Sequence, residues 1–185
     1  MAILSVRSLA IACLAVLAGT TTLARPAVAQ DTLEHEIRAA FIYNFTRFID
    51  WPPAAVPPDE FRICVVGDPR FATALDGMIA GEAVQGRPIV RRDPATPDEA
   101  RACQILYVSR QEPERGARTL TAVRHLPVLT VGDAPRFLEQ GGAVRFLLEE
   151  GRVRFDVDMS AVDRAGLTMT SKLLRVARRV ENARR

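Results

Sequence analysis

Two stretches of this chain place a carboxylate at the same kind of turn. Val65-Val66-Gly67-Asp68-Pro69-Arg70-Phe71 is echoed by Thr130-Val131-Gly132-Asp133-Ala134-Pro135-Arg136-Phe137, with one alanine inserted. Each copy reads as strand, glycine turn, aspartate, a proline in a first helical turn, and an aromatic able to pack on a sheet. Glycine permits the tight turn, aspartate accepts from the free amides of a helix start, and proline suits the first helical position. Both turns fall at strand ends, the edge where open α/β sheets bind ligands. Asp68 and Asp133 are therefore candidates to hold a small ligand or a cation. The plainer alternative makes both of them helix caps. Carboxylates at helix starts repel phosphate, and neither a GxGxxG nor a GxxxxGK(S/T) cradle occurs.

Residues suited to catalysis are sparse. His35 and His125 are the only histidines, each on an expected helix without a metal-like neighbour. Ser109 and Ser171 lack a GxSxG context, and Glu149-Glu150 marks a solvated hairpin turn. No catalytic residue, metal site or cofactor is expected. Cys64 lies in the apolar run Phe61 to Val66, and Cys103 at the mouth of Gln104 to Val108. If those strands are neighbours the two sulfurs can meet. A bridge closing a loop of about 40 residues would stabilise by roughly 4 kcal/mol. Two separate buried thiols are the alternative, since free cysteine packs as a small hydrophobe.

Two stretches suit binding. Tyr43 to Pro52 (YNFTRFIDWP) is dense in aromatics, and Arg47, Phe48 and Trp51 are the types enriched at the energetic centres of protein interfaces. A buried helix end with Trp51 as a lid over the core is the alternative. Lys172, Arg175 and Arg179 follow on one face of the expected last helix, where solvation and favourable placement near a helix end explain most of the charge.

The elements that must position these residues follow from periodicity. From Thr32 to Asp50, Leu33, Ile37, Ala40, Phe41, Phe45, Phe48 and Ile49 recur at helical spacing. Asp31 or Thr32 can cap the start, and Trp51-Pro52-Pro53 stops the helix. Strands are then expected at Phe61 to Val66, Arg87 to Arg92, Gln104 to Val108 and Val128 to Val131. Helices are expected at Pro69 to Ile79, Pro113 to Arg124 and, briefly, Pro135 to Gln140. Ala143 to Leu148 and Arg152 to Val157 form a hairpin, and Ser171 to Asn182 a last helix. The fold class is α/β: one domain, with a mixed, mostly parallel six-stranded sheet, helices on both faces, and a C-terminal β-hairpin plus helix.

The N-terminus places the protein. Arg7, the apolar run Ser8 to Gly19 and Ala27-Val28-Ala29 before Gln30 have the charged, apolar, A-x-A order of a secretory signal. The run is shorter than the roughly 18 apolar residues of a spanning helix. Residues 1–29 are thus expected to be a signal peptide, leaving a soluble domain over 30–185. Arg7 and Arg25 leave with the signal, so 23 basic residues face 22 acidic ones, a net charge of +1. Nucleic acid is not implied. Only Cys64 and Cys103 survive cleavage, an even pair in an oxidising compartment.

In order along the chain, RAAFIYNFTRFIDWP, FRICVVGDPRF, GRPIV, CQILYVS and VLTVGDAPRFLEQGGAVRFLLEEGRVRFDVDMSAVDRAGLTMTSKLLRVARRV resemble the YfiR family of periplasmic proteins. The resemblance implies a periplasmic regulator that binds the sensor domain of an inner-membrane diguanylate cyclase and holds the enzyme inactive. It also implies an outer-membrane lipoprotein able to sequester the regulator, control of cyclic di-GMP and biofilm growth, and self-association as a homodimer. Cys64 and Cys103 match cysteines that bridge in family members. The second cysteine pair of some relatives is missing, since Leu138 to Arg152 holds no cysteine.

Overall fold

The structure is a computed structural model that describes residues 26–181. Of the expected signal peptide, Met1 to Arg25 lies outside the described residues. Residues 26–29 form the first turn of helix α1, Pro26–Phe48, which begins six residues before the expected start. Asp31 is therefore inside the helix rather than a cap, and its carboxylate pairs with Arg70 at 2.6 Å.

The chain continues through β1 (Ile49–Asp50), β2 (Phe61–Val66), α2 (Pro69–Ile79), β3 (Ala83–Val84), β4 (Arg87–Arg92) and β5 (Ile105–Val108). Then come α3 (Pro113–Val123), β6 (Leu129–Gly132), β7 (Val144–Glu149), β8 (Arg152–Asp158), α4 (Met159–Arg164), β9 (Thr168–Met169), α5 (Ser171–Val176) and β10 (Arg179–Glu181). All six expected strands form, and β3 and β10 extend the main sheet to eight, in the order β10-β8-β7-β6-β5-β2-β4-β3. β4, β2, β5, β6 and β7 run parallel, while β7 with β8 and β3 with β4 are antiparallel. A separate ribbon pairs β1 with β9. The strand count is thus a correction: two-residue and three-residue pairings leave no alternation in the sequence to read.

Alternation along the central strands builds two cores. Phe61, Ile63 and Val65 of β2 and Ile105 and Tyr107 of β5 join the larger cluster beneath α1 and α2. Cys64, Val66, Leu106 and Val108 point to the other face and meet Leu120 and Val123 of α3. Burial on both faces is the ordinary condition of parallel strands between helices. Cys64 and Cys103 are bonded to each other on that second face, with Cα atoms 6.0 Å apart. Both are buried, so the bridge clamps β2 to the entry of β5.

The last third departs from the expected elements. Glu150 and Gly151 carry φ of 50° and 72°, the paired left-handed conformation of a two-residue hairpin loop. Pro135 to Gln140 forms turns rather than a helix. The last helix stops at Val176, and the chain turns into β10, with the Arg178 amide donating to the Phe155 carbonyl at 2.8 Å. Pairing β10 satisfies backbone groups on the open edge of β8. It also brings Arg178 to Asp156, a wholly buried carboxylate. Asp156 accepts from Arg178 Nε (2.8 Å) and Nη2 (2.6 Å) and from Arg145 Nη2 (2.6 Å). Burial opposes the charge of Asp156, but the Arg178 and Arg145 hydrogen bonds outweigh it and hold the carboxyl below its ordinary value.

Two outcomes follow. Replacing Cys64 and Cys103 together by serine lowers the unfolding free energy by up to about 4 kcal/mol, read from urea midpoints with and without reductant. Asp156→Asn costs about 3 kcal/mol at neutral pH, because it leaves two arginines without their buried partner. A depressed carboxyl stabilises above its unfolded pKa and loses that contribution as pH falls through the folded one. The gap between wild type and Asp156→Asn therefore closes below about pH 4.

Candidate functional site

Helix α1 crosses the larger core with Ala39, Ile42 and Phe45 fully buried beneath it. That path carries Arg38, on the same helix, to the carboxyl ends of β5 and β6. Arg38 is only 4% exposed. Its Nη1 donates to the Tyr107 hydroxyl (3.2 Å) and to Asp133 Oδ2 (3.0 Å), and its Nη2 donates to Glu34 one turn earlier. Asp133 Oδ1 accepts the Arg110 amide at 2.7 Å, and Arg110 Nε lies 3.7 Å from Oδ2. Burial works against the Arg38 charge, but Tyr107, Asp133 and Glu34 outweigh it and raise its pKa above the ordinary value. Burial likewise pushes the Tyr107 phenol well up, with the Asp133 carboxylate adding to the shift.

The second aspartate sits beside this network. Asp68 Oδ1 caps α2 by accepting the Phe71 amide at 2.9 Å, as the alternative reading held. Its Oδ2 lies 3.5 Å from His35 Nε2, and both residues are buried. Gly67 adopts a φ of 85° at the turn, a conformation that side chains disfavour. Gly132 is required for a different reason: a Cβ there would stand 2.5 Å from the Phe137 ring. So the two echoing turns diverge. Asp133 caps no helix, because its oxygens are taken by Arg38 and Arg110, and turns follow it.

Asp68 and Asp133 do line one cleft of about 460 Å³, with Asp31, Glu34, His35, Arg38, Arg70 and Arg110 among its walls. The cleft lies where the chain reverses its winding: β4 is added on one side of β2, and β5, β6 and β7 on the other. This is the position at which doubly wound sheets hold ligands. Its charges are largely matched in pairs. A phenol pushed far above neutrality is no general base at ordinary pH. Ser109, beneath the edge, accepts the Gln111 amide at 3.2 Å. Among the described residues no group of three His, Cys, Asp or Glu side chains could hold a metal ion. Among the described residues, the cleft places no nucleophile beside a base.

The aromatic end of α1 is spent mainly on packing. Phe41 and Phe45 meet Phe146 and Phe155 with ring centroids 5.3–6.1 Å apart. Phe48 is half-buried against the same core. Trp51 is half-buried too, edge-on to Phe61 at 5.1 Å, and its indole N–H donates to the Gln104 carbonyl at 3.1 Å. Arg47 is the exposed member. It lies over the Tyr43 ring at 4.8 Å and donates to the Tyr43 hydroxyl, which donates in turn to Glu82.

A sequence profile described as YfiR/HmsC-like matches residues 35–178, well over half of the 185-residue chain. The chain belongs to the YfiR/HmsC-like family. The matched span opens at His35 and closes at Arg178, so it contains the Arg38–Asp133 network, the disulfide and the Asp156 cluster. No curated protein matches the chain significantly. Among solved structures, a conserved domain protein from Vibrio cholerae O1 biovar El Tor is similar at 14% identity and a TM-score of 0.50, over 80% of this chain and 60% of that one. The ABC domain in complex with L-Trp from Streptococcus pneumoniae is similar at 10% identity and a TM-score of 0.48, over 68% of this chain and 57% of that one. The YfiR/HmsC-like chain thus spans about three fifths of these proteins, and the likeness to the Vibrio protein is one of fold alone.

Arg38, Glu34 and Tyr107 were not legible as site residues. The one signal was an arginine four residues after a glutamate within an apolar helical pattern. Arg38→Met should cost about 3–5 kcal/mol, since it leaves Asp133 buried beside an apolar stem. Tyr107→Phe should cost only about 1 kcal/mol. Chemical denaturation of the two variants checks the ratio.

Proposed function

We propose that this YfiR/HmsC-like protein is an exported, non-enzymatic regulator. In the periplasm it binds the sensor domain of an inner-membrane diguanylate cyclase and holds that enzyme inactive, restraining cyclic di-GMP production and biofilm growth. Sequestration by an outer-membrane lipoprotein releases the cyclase, and the regulator itself works as a homodimer. The observation that carries this reading is the family match from residue 35 to 178. The internally paired charges of the cleft are consistent with recognition rather than turnover.

Arg47, Phe48 and Trp51 contribute to the contact with the cyclase. Arg47 is its exposed polar element, and Phe48 and Trp51 form the half-buried apolar edge beside it. A second reading has one observation of its own: the 460 Å³ cleft at the reversal of the sheet, with Asp68 and Asp133 in its wall. There a small envelope ligand would tune partner binding, to a cyclase or to another envelope sensor or transporter. A thermal-shift panel of charged small metabolites separates the readings, and a flat response sets the receptor reading aside.

The main reading is tested by co-purifying the protein with the cyclase sensor domain. Arg47→Glu should weaken capture about tenfold and lower the melting temperature only slightly, because the contacts it loses, to Tyr43 and Glu82, are on the surface. Trp51→Ala should lose both binding and stability. Full capture by Arg47→Glu removes this surface from the contact.

A further inference from the structure

The hairpin turns one face to the larger core and the other away from both cores. Val144, Phe146, Val153, Phe155 and Val157 belong to the larger cluster, and no residue of β7, β8 or β10 enters the second. Strand alternation therefore puts Arg145, Arg152, Arg154 and Asp156 together on the outer face. Register sets Arg145 opposite Asp156, and Arg179 of β10 beside it. Arg178 folds back onto the same carboxylate.

This outer face carries Arg145, Arg152, Arg154, Arg178 and Arg179 against Asp156, Asp158, Glu149 and Glu181, with Leu147 as its apolar member and Glu150 in the turn at its rim. The acids are already engaged. Asp156 holds Arg145 and Arg178, Glu149 accepts from Arg178 at 3.3 Å, and Glu181 lies 2.9 Å from Arg179. Arg152, opposite Glu149 in register, and Arg154 are exposed, and neither makes an ion pair among the described residues. The result is a pinned row of guanidinium groups with two left free, on a rigid two-stranded scaffold.

We propose that the outer face of β7, β8 and β10 docks an acidic segment of a protein partner. Charge complementarity names the occupant. Arg152 and Arg154 project from paired strand positions beside that row, and a guanidinium fork recognises a carboxylate in bidentate fashion, which an ammonium does less well. A lipid surface fits the face poorly. Membrane-surface elements pair basic residues with several apolar ones that insert, whereas here a single half-buried Leu147 sits among the arginines, flanked by Glu149 and Glu181. The docking face is distinct from the Arg47 end of α1 and holds for any acidic partner, cyclase or not.

The test uses a Glu-rich, unstructured peptide of about 20 residues and, separately, phosphatidylglycerol vesicles. The protein is compared with Arg152→Glu/Arg154→Glu, with the neutral pair Arg152→Gln/Arg154→Gln, and with Arg118→Glu, a charge reversal at an exposed arginine of α3. Wild type and Arg118→Glu should bind the peptide alike at low salt. The Glu pair should bind at least about tenfold more weakly and the Gln pair fall between, with binding fading as salt approaches about 0.3 M. No peptide binding by wild type, or equal weakening by Arg118→Glu, overturns the proposal. Vesicle capture that is lost in the Glu pair while peptide binding is unaffected assigns the face to lipid instead. If the Glu pair fails to fold, the Gln pair carries the same comparison.

Discussion

A guanidinium group can enter a protein interior only where other groups take over from water, and Arg38 is placed under that condition. It is buried to 4% exposure between a helix that crosses the core and the carboxyl ends of two parallel strands. Glu34, Tyr107 and Asp133 supply the acceptors. Because those acceptors come from α1, β5 and the end of β6, satisfying one cation fixes how the first helix lies on the sheet. That orientation then sets Phe41 and Phe45 against Phe146 and Phe155, and brings Ile49 into register with Met169. The cleft at the sheet edge is the solvent-facing side of the same arrangement. An isolated charge there would cost several kcal/mol, so helix position and site geometry are one constraint.

Two strands away, toward the β10 edge of the sheet, the same rule holds with the sign reversed. Asp156 is fully buried, and its partners come from β7 and from the residue just before β10. The short last strand is therefore held by an ion cluster as much as by three paired residues. On the second face, the Cys64–Cys103 bridge ties the central strand β2 to the entry of its neighbour β5. Helix and hairpin are thus tied by buried arginine–carboxylate clusters, and the central strand by a disulfide. What these ties leave exposed is an arginine at the end of α1 and arginines on the outer face of the hairpin.

Much of the fold was legible because apolar spacing speaks directly for elements buried on one or both faces. The six principal strands and the helices at Pro69 and Pro113 form within a residue or so of where periodicity set them. Errors gathered where local signals compete with partners distant in sequence. Ser171 to Asn182 reads as one helix, yet the helix stops at Val176, because the next residues gain more by completing the edge of β8. Pro135 to Gln140 looked like the twin of α2, but its aspartate serves Arg38 and Arg110 instead of capping a helix start. For the aromatic stretch Tyr43 to Pro52 the sequence leaves both a binding surface and a buried helix end open, and most of its rings face the core.

The sequence by itself determined the α/β class, the order of the main strands and helices, the pair of cysteines able to meet, and the family. These rest on side-chain period, turn chemistry and ordered motifs, all of them local in the chain. Only the tertiary structure decided that Arg38 joins Asp133 across 95 positions, that Asp68 and Asp133 part company in role while sharing a cleft, and that Arg178 returns to Asp156. The reason is physical. A buried charge is stable only with partners that the fold brings from elsewhere, and no local pattern states which partners those will be.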